Sequence, residues 1–103
     1  MSQDRIDALR AMLERRPDDS RARFGLALEY EKAERWEEAA AELRRYLEST
    51  EDEGNAWGRL GHVLREMGQE EEARKAYHRG IEVALRHNHP TMAAEFEETL
   101  EEF

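Results

Sequence analysis

The feature that most constrains the fold of this chain is a similarity between two segments that lie 34 residues apart. Apolar, small and charged positions of the first segment return in the second, as five pairs show: Leu26 with Leu60, Ala27 with Gly61, Ala39 with Ala73, Leu43 with Tyr77 and Glu48 with Glu82. Self-similarity at a fixed period of this length is typical of repeat proteins. Such proteins build an extended surface from stacked units, whereas most enzymes need one unique pocket.

The pattern of apolar residues predicts an all-α chain. Ala, Leu, Glu and Arg dominate, and no segment alternates apolar and polar residues with the period of a β-strand. We predict six helices, which run from about Gln3 to Arg16, from just after Ser20 to about Ala33, from Trp36 to the polar link at Ser49, from Gly54 to Met67, from Gln69 to Arg86 and from Pro90 to Phe103. Gly68 is expected to take a positive φ at the end of the fourth helix. Short links between successive helices require antiparallel neighbours, so we expect a stack of helical hairpins.

The second of the two similar segments contains a recognisable motif, Trp57-x-x-Leu60-Gly61-x-x-Leu64 followed by Ala73-x-x-x-Tyr77. This motif resembles the tetratricopeptide repeat, whose signature is Trp-x₂-Leu-Gly-x₂-Tyr and then Ala-x₃-Phe. The first segment fits the same frame with Arg23 in the tryptophan position, and the resemblance covers roughly residues 5–85.

The resemblance implies an α-solenoid of about two and a half repeats in a single domain, residues 1–103. It divides the chain into a half repeat at 3–16, full repeats at 20–53 and 54–87, and a C-terminal capping helix at 90–103. Leu85 stands where the family has its closing proline, so the fifth helix is expected to continue to about Arg86. The apolar stripe of this helix is expected to carry Ala73, Tyr77, Ile81, Ala84 and Leu85.

The charge of the chain argues against several classes of partner. The formal net charge is −9, and Lys and Arg do not cluster in one stretch. Nucleic acids and anionic membranes reward clustered positive charge, so neither is expected as the main ligand. The chain has no cysteine, no apolar run of membrane-spanning length and no apolar stretch of the signal-peptide kind at its N-terminus. We therefore expect a cytoplasmic protein.

Nothing in the sequence indicates catalysis or a cofactor. His87 and His89 flank a helix break, but no third residue at metal-ligand spacing accompanies them, so a plain turn is the favoured interpretation. Runs such as Glu70-Glu71-Glu72 are best explained as solvated helix faces. No nucleophile motif and no glycine-rich phosphate loop occurs, so we expect neither an enzyme nor a bound metal.

The resemblance places a partner-binding groove on the first helix of each repeat. Eight residues of this chain correspond to the groove, with Lys32 and Glu66 beside them: Arg21, Phe24, Leu28, Glu31, Asn55, Arg59, His62 and Arg65. Phe24 and Leu28 are large apolar residues that lie off the core stripe, which suggests a binding surface. The last three form a locally basic row, so the expected partner segment has an apolar anchor and some acidic residues.

Two alternatives to this groove remain open from the residues. Phe24 and Leu28 could instead be covered by the first helix, while the arginines pair with neighbouring glutamates. Alternatively, the chain could be a structural module that self-associates as a homodimer through its terminal helices. The first helix would then contribute Ala8, Leu9 and Met12, and the last helix an exposed Phe103.

Overall fold

The computed structural model describes residues 2–103, with side chains described from Gln3 onward. The described residues form six α-helices and no β-strand: α1 (Ser2–Arg15), α2 (Ser20–Lys32), α3 (Trp36–Ser49), α4 (Asn55–Glu66), α5 (Glu70–Arg86) and α6 (Pro90–Glu101). The all-α prediction is therefore confirmed, and each predicted helix is present. The extension of α5 to Arg86 is confirmed as well.

The chain divides into two compact units, Met1–Thr50 and Glu51–Phe103. The first unit holds α1, α2 and α3, and the second holds α4, α5 and α6. Within the first unit, α2 and α3 form a hairpin and α1 packs against α2. Within the second, α4 and α5 form a hairpin and α6 packs against α5.

Side-chain caps set the start of the first helix in each hairpin. The Asp19 carboxylate accepts a hydrogen bond from the backbone N–H of Ala22 at 3.0 Å. The Asp52 carboxylate accepts from the N–H groups of Gly54 at 2.8 Å and Ala56 at 3.0 Å. Each carboxylate satisfies backbone donors that the first helical turn leaves without a partner.

Both hairpins turn in the same way. Glu34 in the first hairpin has φ 57°, and Gly68 in the second has φ 77°, as predicted for that glycine. Each turn is closed by a backbone hydrogen bond of 2.9 Å across six residues, from Arg35 to Tyr30 and from Gln69 to Leu64. This geometry is the Schellman motif, which ends a helix with one left-handed residue.

The first unit buries apolar residues from all three of its helices: Ile6, Leu13, Ala22, Leu26, Ala27, Tyr30, Ala39, Ala40 and Leu43. Every second-unit helix contributes in the same way: Ala56, Leu60, Val63, Leu64, Ala73, Ala76, Tyr77, Val83, Ala84 and Ala93. Leu43 is 0% exposed and Leu64 is 1% exposed, so these leucines are central to their cores. Truncating a leucine in such a position typically costs about 2–5 kcal/mol.

Two glycines make room for a ring from the last helix. A Cβ atom added to Gly58 of α4 would collide with the ring of Phe96. A Cβ atom added to Gly80 of α5 would lie 2.9 Å from the same ring. Phe96 also lies against Tyr77, with ring centroids 5.7 Å apart. Phe96 therefore anchors α6 in a notch between α4 and α5, which we call the glycine notch (Gly58 and Gly80).

One predicted core position is wrong. Leu85 was assigned to the buried stripe of the fifth helix, but it is 57% exposed. The buried face of α5 instead passes through Gly80, Val83 and Ala84. A helix turns by 100° per residue, so position 85 falls beside this stripe and faces solvent. Among the described residues, no helix is both long and apolar enough to cross a membrane.

Candidate functional site

Four of the eight predicted surface residues lie on one face of α2. Arg21 is exposed, whereas Phe24, Leu28 and Glu31 are half-buried. Their spacing of three, four and three residues keeps them on one side of the helix, apart from the buried Leu26. The first unit therefore presents a face with two apolar side chains between charged ones.

Phe24 has a partner inside its own unit. Its ring lies 5.0 Å from the ring of Tyr46 on α3, at an interplanar angle of 44°. Aromatic pairs prefer such tilted arrangements, and both side chains are half-buried. The Tyr46 ring therefore fixes the orientation of Phe24, and a truncation of Phe24 would disturb the hairpin as well as the surface.

The other four predicted residues lie on α4 in the second unit. Asn55 and His62 are exposed, and Arg59 and Arg65 are half-buried. By the 34-residue offset, the counterpart of Phe24 is Gly58, and Arg59 is the counterpart of Gly25. The two helices therefore present different faces, one partly apolar and one mainly polar and basic.

Arg65 is held by the residues that follow α6. Its Nη2 donates to the backbone oxygen of Glu102 at 3.3 Å, and its Nη1 lies 3.5 Å from the Glu102 carboxylate. Its guanidinium carbon lies 4.3 Å from the centroid of the Phe103 ring, and that of Arg74 lies 5.4 Å from the same centroid. Phe103 is half-buried between these two arginines rather than exposed as the self-association alternative supposed.

The residue pattern, the helical hairpins and their shared turn geometry all indicate the same family. Residues 1–85 match the family model described as tetratricopeptide repeat. The chain belongs to the tetratricopeptide repeat family. No curated protein matches it. Tetratricopeptide repeat proteins generally mediate protein–protein interactions and are typically not enzymes.

The first tetratricopeptide repeat contains a partly buried ion pair that the sequence did not predict. Arg23 occupies the tryptophan position, and its Nη1 lies 2.6 Å from Oε1 of Glu42 on α3. Its Nη2 also donates to the carbonyl oxygen of Pro17 at 2.9 Å. Arg45 donates to the other oxygen of Glu42 at 2.8 Å. The departure of Arg23 from the family pattern was the available signal, but nothing in the sequence identified Glu42 as its partner.

A second buried carboxylate joins α1 to α2. Glu29 is 5% exposed, and Nε of Arg5 lies 2.9 Å from its Oε2. Nζ of Lys32 lies 3.4 Å from the same oxygen. Lys32, which was placed beside the groove residues, therefore also neutralises this carboxylate. Buried carboxylates need such partners because an isolated buried charge is strongly unfavourable.

The first tetratricopeptide repeat also borders a cleft of about 360 Å³, which six residues line: Arg10, Leu13, Glu14, Arg23, Leu26 and Glu42. Arg23 and Glu42 are hydrogen-bonded to each other at its wall. No cysteine, serine or histidine is among the lining residues, so none of them supplies a usual nucleophile.

The two predicted turn histidines each face a carboxylate. His89 Nε2 lies 2.6 Å from Oε1 of Glu53, and His87 Nε2 lies 3.6 Å from Oε1 of Glu51. The hydrogen bond with His89 lowers the pKa of the Glu53 carboxyl. Across residues 2–103, no group of three or more His, Asp or Glu side chains is arranged to hold a metal ion.

Proposed function

We propose that this tetratricopeptide repeat chain is a non-catalytic protein–protein interaction module. It would hold a partner peptide or helix through the face of α2 and the face of α4 defined above. The observation that carries this proposal is the combination of half-buried Phe24 and Leu28 with the exposed Arg21 on one side of α2. Apolar groups rimmed by charged ones are typical of interaction surfaces.

The charge distribution supports a protein partner that carries some acidic residues. The chain has a net charge of −9, but α4 presents Arg59, His62 and Arg65 along one side. A local basic row on an acidic protein favours a partner segment of opposite charge and disfavours long polyanions such as nucleic acids. The cytoplasmic location expected from the sequence belongs to the same proposal.

The test of the proposed surface uses exposed residues, because Phe24 also packs on Tyr46. Arg21→Glu combined with His62→Glu places a negative charge on each of the two proposed helix faces. The matched control is Arg44→Glu combined with His78→Glu, since these side chains are also exposed but lie on α3 and α5. Both variants are compared with the natural chain in affinity capture from a native lysate, followed by mass spectrometry.

We expect the α2–α4 variant to lose a specifically captured protein that the α3–α5 variant retains. Both variants should melt within a few degrees of the natural chain, because surface substitutions of this kind have small effects. Equal capture by both variants would contradict the proposed surface. Equal loss by both would show that overall charge, rather than these faces, governs binding.

Self-association is the second candidate function, and one observation favours it. Met12 on α1 is 40% exposed and the neighbouring Leu9 is half-buried, so α1 presents apolar surface. Burial of such a patch between two copies would form a symmetric dimer. Light scattering at rising protein concentration would show a dimer mass that Met12→Glu abolishes. A monomer mass at every concentration would exclude this function.

A further inference from the structure

The environment of Phe103 resembles an occupied binding site more than a packed core. The ring lies between the guanidinium groups of Arg65 and Arg74 and meets Tyr77 edge-on, at 5.9 Å and 80°. Arg65 comes from the end of α4 and Arg74 from the second turn of α5, on either side of the hairpin turn. Arginine side chains attract the faces of aromatic rings through cation–π interaction.

Arg65 also contacts the residue before the ring. It donates to the main-chain oxygen of Glu102 and approaches its carboxylate, as described above. Arg74 lies 3.3 Å from Glu71, which holds its guanidinium near the ring. The site therefore contacts two successive side chains, a carboxylate and then an aromatic ring.

The contacts of residues 102 and 103 are partly exposed and do not include the anchor of α6. The Glu102 side chain is 68% exposed, and those of Arg65 and Arg74 are 36% and 40% exposed. Exposed ion pairs contribute little to stability, so the Arg65–Glu102 ion pair is a weak contact. Phe96 holds α6 independently in the glycine notch. The anchor of α6 is therefore separate from the contacts of residues 102 and 103.

We propose that Arg65, Arg74 and Tyr77 form a binding site for an acidic–aromatic segment of a partner protein, and that Glu102 and Phe103 fill this site until the partner displaces them. This inference rests on the proposed function, and it names the chemistry of the partner. The guanidinium groups of Arg65 and Arg74 complement an acidic segment in charge, and the chain's own Glu-Phe pair shows the pattern that the site accepts. The resident pair competes with the partner and lowers its apparent affinity.

The test is a peptide titration against chains in which the site has been vacated. The probe is a fluorescent peptide with the sequence of residues 99–103, amidated at its end so that only side-chain carboxylates are read. The control probe has alanine in place of its final phenylalanine. Phe103→Ala vacates the site, and Phe103→Leu keeps apolar volume without an aromatic face. Circular dichroism melts establish that each variant is folded.

We expect the probe to bind Phe103→Ala about tenfold more tightly than it binds the natural chain, because the competing ring is gone. Binding to Phe103→Leu should lie between the two. Adding Arg65→Glu to Phe103→Ala should abolish binding, whereas adding Arg86→Glu, at an exposed position on α5, should not. The control probe should bind no variant.

Three results would overturn the inference: no binding to the vacated chain, equal binding of both probes, or equal binding to the natural and vacated chains. These results are independent of the lysate experiment. If the peptide fails while capture still depends on Arg21 and His62, the proposed function stands without this site. If capture does not depend on Arg21 and His62 while the peptide binds as expected, the Phe103 site is supported and the proposed α2 and α4 faces are not.

Discussion

The two hairpins, α2–α3 and α4–α5, share one repeat but fill their cores differently. The first has Ala27 and Leu43, both 0% exposed, where the second has Gly61 and Tyr77. A Cβ atom added to Gly61 would lie 2.8 Å from the Tyr77 ring, so the larger ring requires the smaller partner. The summed volume of the two positions is thus similar in the two hairpins, although each side chain differs, so a change at one position requires a change at the other.

A second pair of equivalent positions also differs between the hairpins, and here two charged side chains replace two uncharged ones. The first hairpin has Arg23 bonded to Glu42 at the positions where the second has Trp57 and Ala76. A guanidinium group and a carboxylate together occupy the place of one large ring and one methyl group. Either solution is acceptable because each leaves no buried group without a partner.

The third pair differs in where its aromatic ring comes from. The first hairpin supplies Phe24 and Tyr46, with ring centroids 5.0 Å apart. The second has Gly58 and Gly80 at the same positions, and Phe96 of α6 enters the notch between them. The first hairpin thus provides its own rings, whereas the second depends on the helix that follows it.

The largest expected effect comes from separating Arg23 and Glu42. We expect Arg23→Ala to lower the free energy of unfolding by about 3 kcal/mol, because Glu42 is then left buried with one partner. Arg23→Trp combined with Glu42→Ala copies the second hairpin and should recover most of this loss. Urea unfolding measures the stability of both variants.

Arg45→Ala is the control for Arg23→Ala. The Arg45 side chain is 59% exposed, so its removal should cost less than about 1 kcal/mol. An Arg23→Ala chain as stable as the natural one would contradict the role of the ion pair.

The next effect comes from Gly61. We expect Gly61→Ala to destabilise the chain by about 2 kcal/mol, because its methyl group overlaps the Tyr77 ring. Adding Tyr77→Leu restores the pairing used by the first hairpin, so the double variant should be more stable than the sum of the single effects predicts. Gly25→Ala is the matched control, because its nearest neighbour, Leu9, lies at 3.7 Å and leaves room. Strict additivity at Gly61 and Tyr77 would show that the two positions do not compensate.

A smaller effect is expected at the hairpin turns. Gly68→Ala should lose about 1 kcal/mol, because a residue with a Cβ atom is strained at positive φ. No atom lies within 4 Å of the added Cβ, so the loss of stability comes from backbone strain and not from a steric clash. Glu34→Gly should change stability in the opposite direction, since Glu34 already carries that strain. Thermal melts of the two variants measure both effects. Shifts of Tm in the same direction would contradict backbone strain at positive φ as their cause.

The smallest effect is a difference in acid sensitivity. Arg35 donates two hydrogen bonds of 2.7 Å to the Glu38 carboxylate, which lower the pKa of Glu38 below its ordinary 4.5. A carboxyl with a lowered pKa stabilises the folded state above its ordinary pKa, and this contribution disappears as the pH falls. Glu38→Gln should therefore lower Tm by about 1–3 °C at pH 6 and by progressively less as the pH falls below 4.5. Glu72→Gln, at the equivalent position of the second hairpin, is the comparison. A Glu38→Gln deficit that persists at low pH would contradict the ion pair as its source.

The helices were predictable because their signals are local. Asp19 caps α2, Gly68 ends the turn after α4, and Pro90 begins α6, and each acts through its own backbone neighbours. Leu85 was placed wrongly because apolar character alone does not show which side of a helix is covered. The contacts of Arg65 and Phe103 were missed because they join residues far apart in the chain, with no shared motif.

The 34-residue period was sufficient to predict the helical hairpins, the family and which residues share a helix face. A period records which residues share a helix face, because that depends only on spacing along the chain. The folded structure was needed to show that Glu42 is buried against Arg23, that Phe96 fills the glycine notch and that Phe103 lies between two arginines. These facts depend on which helix covers which face, and that choice follows from packing among segments that the repeat does not relate to one another.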